Sequence, residues 1–250
     1  MIFPQTNKIE YKERIYRNLI KDKDLVSFQV REVESDLYIR ANQDLSFYAQ
    51  QILSAFRGQI KNYINSRPLF ENTLLPYPQD ADAPKIIRSM IEAANRCGVG
   101  PMAAVAGAIA EFVGKELSNY SSEVIVENGG DIFIKSSKAR RVSIFAGESP
   151  LNQRIVLRIK AQENYCGICT SSGTVGPSLS FGKADAVTVI SDSVSLADAA
   201  ATAVSNIIKT KEDIDRGLSF AQKIKGIKGV VIIKDDKMGL WGDISFTVVK

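Results

Sequence analysis

Apolar and polar residues alternate at period two over two short stretches near the start of the chain, SFQVREV and DLYIRA, with a polar turn at Glu34-Ser35 between them. Period two sends successive side chains to opposite faces of an extended chain, so these stretches read as two strands. The period then changes. Leu45, Tyr48, Ala49, Ile52, Leu53, Phe56, Ile60 and Ile64 recur at spacings of three and four, which is one face of a long helix. Asp44 is placed to cap that helix and Pro68 to stop it, so it runs over Asp44–Ser66. Its apolar face suits burial in the core, and the same face is the candidate surface for a homodimer. The Pro-rich, polar stretch PLFENTLLPYPQDADAP reads as a long loop or linker.

Two more helical patterns follow. KIIRSMIEAANRC starts with Asp82 as its cap and Pro84 in its first turn, and ends near Gly98. Pro101 opens PMAAVAGAIAEFVGKEL, whose first half is almost all Ala and Gly, residues that let another backbone or a ligand come close. Strand patterns then dominate: SEVIVEN, DIFIKS, RRVSIFA and QRIVLRIKA, with NGGD at Asn128–Asp131 as a hairpin turn. YCGICTSSGTVGP reads as a strand end passing into a turn, and KADAVTVIS as a buried strand. SLADAAATAVSNIIK is a helix with Leu196, Ala200, Ala203, Val204 and Ile207 on one face, and KEDIDRGLSFAQKI is a further helix. Two C-terminal strands meet at a turn over Asp235–Gly239. Irregular alternation of helices with hairpins predicts an α+β fold with a mostly antiparallel sheet and packed helices.

With 45% hydrophobic and 24% charged residues among 250, the chain is ordinary for a soluble globular protein. A net charge of +4, with no block of basic residues, gives nucleic acid and membrane surfaces little support as partners. The first sixteen residues lack an apolar signal-peptide core, and the small-residue run Pro101–Ala110 is too short to span a bilayer, so the expected location is cytoplasmic. The fact that narrows the chemistry most is the absence of histidine. It excludes a Ser-His-Asp triad, a Cys-His pair and an HExxH zinc site.

Four local features carry candidate chemistry. Cys166-Gly167-Ile168-Cys169 is a CxxC, open to a redox role or to plain burial; only Cys97 remains as a third thiol, too few ligands for a structural zinc site. Thr170, Ser171, Ser172, Gly173 and Thr174 supply hydroxyls and a flexible backbone, suited either to a nest for an anion or to a surface turn. Asp198 and Thr202 lie four apart on a helix and share a face, as hard oxygen ligands for Mg²⁺ or Ca²⁺ would; Ser195-x-x-Asp198 equally reads as a capping box. Asn128, Gly129, Gly130 and Asp131 form a turn that would also let a planar ring or a phosphate approach the backbone.

Taken in order, GVGPMAAVAGA, VENGGDI, CTSSGT, KADAVTVIS and ADAAATA resemble the ApbE superfamily, which includes the FAD:protein FMN transferases, and most of all its shorter ApbE-like branch. The resemblance is strong over Ala83 to Lys209 and looser at the two ends. It implies an ApbE-like α+β architecture, one domain over residues 1–250 with a strand-and-helix subregion over 1–80. It implies Mg²⁺ held by the Asp198 and Thr202 side chains and by a backbone carbonyl, for which Ala103 is the best match. It implies FAD or FMN as the bound nucleotide, lying against Asn128–Asp131 and Ser171–Thr174. The transferases carry a lysine where this chain has Ala104, and a histidine after the Ser-Gly loop where this chain reads PSLSFG. Both groups lie near the chemistry or the nucleotide in the transferases.

Three functional readings follow. The first is a Mg²⁺-dependent flavin-nucleotide enzyme, a transferase or an FAD pyrophosphatase. Backbone N–H groups at the Pro101 helix start or the Ser171–Thr174 loop would bind its phosphates, and Asp131 or Asp185 would be the base. The second is a non-catalytic nucleotide-binding protein on the same fold. The third is a thiol-redox protein built on Cys166 and Cys169.

Overall fold

A computed structural model describes residues 24–174 and 181–249. The N-terminal residues 1–23 and the segment 175–180, which contains Pro177 and most of PSLSFG, lie outside the described residues. The alternating stretches at the start pair as β1 (Val26–Glu32) and β2 (Ser35–Ala41). Their turn falls at Val33-Glu34, one residue earlier than the polarity suggests, because Glu32 pairs with Ser35. Six further strands extend this sheet: β3 (Val124–Asn128), β4 (Asp131–Ser136), β7 (Gln162–Ser171), β8 (Ala186–Ser191), β9 (Ile227–Lys234) and β10 (Lys237–Gly242). The order is β1-β2-β3-β4-β7-β8-β9-β10, and every neighbouring pair is antiparallel. A second sheet of three strands holds β5 (Arg140–Ser143), β6 (Ile155–Ile159) and β11 (Phe246–Val248).

Period two in the central strands serves two cores at once. Val124, Val126, Phe133, Cys169, Val187, Val189, Val230 and Ile232 face the helices. Their neighbours Ile125, Ile134, Ile168, Ile190, Val231 and Ile233 face the smaller sheet, where Ile155, Leu157 and Ile159 meet them. A sheet buried on both faces needs near-continuous apolar strands, which explains why β3 and β8 are buried at every position.

The helices are α1 (Ser46–Ser66), α2 (Leu69–Asn72), α3 (Lys85–Cys97), α4 (Val105–Leu117), α5 (Val194–Ile207) and α6 (Ile214–Ala221). The stretch after α1 is not a free linker. Phe70 of α2 is fully buried and meets Tyr63 and Tyr77 edge-on, and Asn95 holds the Tyr77 backbone through both its side-chain oxygen and its nitrogen. Asp82 does not cap α3. Pro84 takes the cap position in an extended conformation, and the Asp80 carboxylate accepts the Asp82 N–H instead. Gly98 closes α3 in the left-handed conformation, as its position suggests. The Pro101 pattern begins with one tight 3-10 turn, Pro101–Ala104, before α4. The last hairpin turn narrows to Asp235-Asp236, since Lys237 already pairs with Lys234.

Helix α5 sits at the centre of the helix layer, packed on β7 and β8 with α3, α4 and α6 around it. Eleven of its fourteen residues are buried, so its alanines are what a helix enclosed on nearly all sides requires. Its first turn lies on the sheet at Gly167, where a β-carbon would stand 2.7 Å from the Val194 Cα. Among the described residues no single helix is long and apolar enough to cross a membrane. Helices α3 and α4 reach that composition only together, bend by 106° between them, and supply core residues.

Candidate functional site

Helices α4 and α5 cross so that each presents a carboxylate to the other's N-terminus. Asp198, on α5, accepts the Gly107 N–H at 2.8 Å, and the Ala106 N–H also bonds it. Glu111, one turn along α4, accepts the Ser195 N–H at 2.9 Å and the Ser193 and Ser195 hydroxyls at 3.2 and 3.1 Å. The first amides of a helix have no partner within it, and the helix dipole favours negative charge there, so each carboxylate answers both needs. The close crossing depends on Gly107, where a β-carbon would lie 2.6 Å from the Val194 carbonyl oxygen and 2.7 Å from the Asp198 Cβ.

This arrangement corrects the capping-box reading of Ser195-x-x-Asp198. The cap of α5 is Ser193, whose hydroxyl accepts the Leu196 N–H. Ser195 turns to Glu111 and to the Ser89 hydroxyl at 3.0 Å, and Asp198 bonds a different helix. Most amides at the start of α4 are already bonded within the protein. At the Pro101 turn the Ala103 N–H donates to Gly100, the Val105 N–H to Met102, and the Ala106 and Gly107 N–H groups to Asp198.

Asp198 is buried, and burial pushes its carboxyl well above the usual carboxylate range. The nearby Asp131 charge pushes it further, and the two α4 amides pull only partly back. Asp131 reaches this place from the hairpin. Gly129 and Gly130 both take positive φ, which closes the turn in two residues and pairs Asp131 with Asn128. Asp131 also pairs with Cys169 on β7. Asn128 is buried and donates to the Ala106 carbonyl at 3.0 Å, which ties the hairpin to the start of α4. Thr202 is one turn beyond Asp198 on α5 and half-buried, and the turn carrying Ala103 packs against the same helix. The structure therefore brings Asn128, Asp131 and Asp198 together at the start of α4. Among the described residues there is no cluster of three acidic or thiol side chains able to hold a metal unaided.

The hydroxyl-rich stretch divides. Thr170 and Ser171 belong to β7, opposite Thr188 and Val187, so the turn starts later than the glycines and hydroxyls suggest. The Thr170 carbonyl lies 3.6 Å from where a Gly130 β-carbon would be, so this strand end adjoins the NGGD turn. From Ser172 the chain folds inward: the Gly173 N–H donates to the Ala184 carbonyl at 2.9 Å, and the Thr174 N–H to the Ser172 hydroxyl at 3.0 Å. A β-carbon on Gly173 would collide with the Gly182 carbonyl, and one on Gly182 with the Ser205 carbonyl of α5. Asp185, the other candidate base, is occupied. Its oxygens accept the Thr174 hydroxyl at 3.4 Å and the Asp235 N–H at 2.6 Å, with the Lys234 ammonium 3.7 Å away, so it fastens the β9–β10 turn.

Cys166 and Cys169 lie mid-strand rather than at a strand end. Three residues apart on β7, they face opposite ways: Cys169 joins the helix-side core and Cys166 the core beneath the second sheet. All three cysteines are free and buried. Burial raises the Cys166 and Cys169 thiols and pushes Cys97 up to about 12. The geometry excludes a Cys166–Cys169 redox pair.

Sequence reasoning missed Glu111 and the meeting of Asp131 with Asp198. Glu111 did leave a signal: it is the one acidic residue within the apolar run AVAGAIAEFVG. The second left none, since residues 67 positions apart meet only through sheet pairing.

A family model described as "AbpE bacteria" matches residues 17–238. A UPF0280 protein of Methanococcoides burtonii is 39% identical over 219 residues, covering 87% of this chain and 92% of that protein. One from Methanocaldococcus jannaschii is 41% identical over 201 residues, covering 78% and 82%. Among solved structures, a mutant of the flavin transferase ApbE from Vibrio cholerae aligns with a TM-score of 0.59 at 14% identity, covering 87% of this chain and 96% of that one. The apo form of the Pseudomonas stutzeri flavinyl transferase ApbE gives 0.58 at 14%, covering 87% and 93%. The fold is thus that of the ApbE flavin transferases, and the chain belongs to the AbpE bacteria family, an ApbE-like branch shared with the UPF0280 proteins.

Proposed function

We propose that this protein binds a flavin nucleotide, FAD or FMN, together with Mg²⁺, and acts on the pyrophosphate of FAD. The observation that carries this reading is the Asp198 carboxylate, buried beside Asp131 and offset only by two amide N–H groups. A divalent cation would relieve that cost. The donors suit magnesium, a hard ion usually bound through one or two carboxylates plus water and substrate phosphate rather than by a full protein cage. Asp198, Thr202 and the Ala103 carbonyl would hold it, with Asp131 close to Asp198. When bound, the metal would neutralise charge on the pyrophosphate. The Ala106 and Gly107 amides are taken by Asp198, and the Gly173 and Thr174 amides are bonded within their own loop, so direct phosphate contacts would fall to the hydroxyls of Ser171–Thr174. The flavin would lie against Asn128–Asp131. Asp131, rather than Asp185, would accept a proton, because it lies close to Asp198 while Asp185 fastens the β9–β10 turn.

The solved structures with this fold are flavin transferases by name, which supports a flavin ligand. A second reading, nucleotide binding without turnover, is favoured by Ala104, which is fully buried and offers no side-chain chemistry, and by the lack of histidine. One experiment tests both readings: titrate FAD into the protein by calorimetry with and without Mg²⁺, then look for FMN and AMP by chromatography. Mg²⁺-dependent binding with product formation supports the first, and binding without products the second. No binding under either condition overturns both.

A further inference from the structure

Resting on the metal reading above, we infer that Glu111 is a positioning residue that sets the place of Asp198 through Ser195. Glu111 is 3% exposed and receives five donors: the Ser195 N–H, the Ser193 and Ser195 hydroxyls, the Tyr165 hydroxyl at 3.2 Å and the Lys115 ammonium at 2.6 Å. Burial alone would raise its carboxyl, but the Lys115 and Ser195 bonds outweigh it and hold Glu111 ionised. Ser195 lies one turn before Asp198 on α5, and Gly107 lies one turn before Glu111 on α4. The Glu111–Ser195 and Asp198–Gly107 contacts therefore close a ring across the crossing, each fixing the distance at which the other forms. Gly107 leaves no slack in that ring, because the helix backbones already touch there. Fixing α5 by its first turn decides where the Asp198 oxygens stand relative to Asp131 and the Ala103 turn.

Glu111→Gln keeps the shape but removes the charge and one acceptor oxygen. An amide placed there would set its NH₂ against donors. The expected result is Mn²⁺ affinity, read by electron paramagnetic resonance, weakened about tenfold, in line with the loss of one charge-assisted hydrogen bond. The Gly107 amide proton, in metal-free protein, should move toward the position of an ordinary helical amide, because its bond to a carboxylate lengthens. Ser195→Ala, which deletes the hydroxyl's contacts with Glu111 and Ser89 but keeps the N–H bond to Glu111, should shift the same resonance in the same direction by less, and it decides the matter should Glu111→Gln not fold. Ile232→Val, a core change in β9, is the control for lost stability and should move neither reading. An unmoved Gly107 amide in Glu111→Gln and Ser195→Ala overturns the inference whether or not metal binds. Wild-type protein that fails to bind Mn²⁺ while the amide does shift removes the metal reading alone.

Discussion

Adding one methyl group at Gly107 tests whether the α4–α5 crossing is as tight as its geometry implies. The new Cβ would stand 2.6 Å from the Val194 carbonyl oxygen, where ordinary contact begins at 3.4 Å, so the helices must part by about 0.8 Å. Neither neighbour is the end of a flexible side chain: one is backbone and the other the Asp198 Cβ. Overpacking of this kind costs roughly 1–3 kcal/mol. Stretching the Asp198–Gly107 bond, whose acceptor is a carboxylate, costs about 1.5–3 kcal/mol more. Alanine returns about 1 kcal/mol of helix propensity. The net is a loss of roughly 1.5–5 kcal/mol, which for a chain of this size lowers the melting temperature by about 3–20 °C. Gly58 is the internal control. It sits in α1 with nothing within 4 Å of where an added methyl would stand, so Gly58→Ala should raise the melting temperature by about 1–4 °C. Differential scanning fluorimetry on the three proteins gives opposite signs if the reasoning holds. A Gly107→Ala protein that melts at or above wild type refutes it.

The other expectations are quicker to state. Asp198→Asn removes a buried carboxyl that is raised in the fold; such an acid costs stability progressively as pH rises above the ordinary aspartate range toward its shifted value, and the cost is fully present beyond it. The variant should therefore melt higher than wild type at pH 8 without metal, and lose any Mg²⁺-induced rise in melting temperature. Glu123 runs the other way: burial would raise it, but bonds from Ser136, Ser137 and Arg140 hold it down at about 2. Its contribution is present above the ordinary glutamate range and fades as pH falls from about 4.5 toward 2, so Glu123→Gln should destabilise at pH 7 and be nearly silent at pH 2. Native protein treated with a mild oxidant should show no Cys166–Cys169 linkage by peptide mass mapping, since the two thiols face different cores.

Much of the architecture could be read directly because it follows from local periodicity. Strands β3 and β4 and helix α5 declare themselves by spacing and by turn residues, and NGGD specifies its hairpin through two glycines at positive φ. The errors come from competition that local pattern does not reveal. Ser195 and Asp198 have the spacing of a capping box, yet a buried carboxylate on another helix draws Ser195 away, and Ser193 does the capping. Asp82 has the residue type and place of a cap, but Pro84 occupies the position. Glycines and hydroxyls over Tyr165–Thr174 suggest an early turn, but β4 pairs with the strand as far as Cys169 and β8 carries it on to Ser171. At the site, Asp198, Thr202 and the NGGD turn could be named from sequence. The juxtaposition of Asp131 with Asp198 could not, because it is a product of sheet order.

The span between Glu111 and Ser195 is 84 residues. At a ribosomal rate of about 5–20 residues per second, α4 leaves the exit tunnel several seconds before its partner helix exists. During that interval Glu111 and the unfilled amides at Ala106 and Gly107 keep their own water, and the helix-facing side of β7 and β8 lacks its cover. A nascent chain halted before Val194 is thus an open sheet with its polar clasp undone, the form that a chaperone or a protease would meet first. Only when α5 emerges can the crossing form, and β9, whose Val230 and Ile232 finish the helix-side core, is made later still.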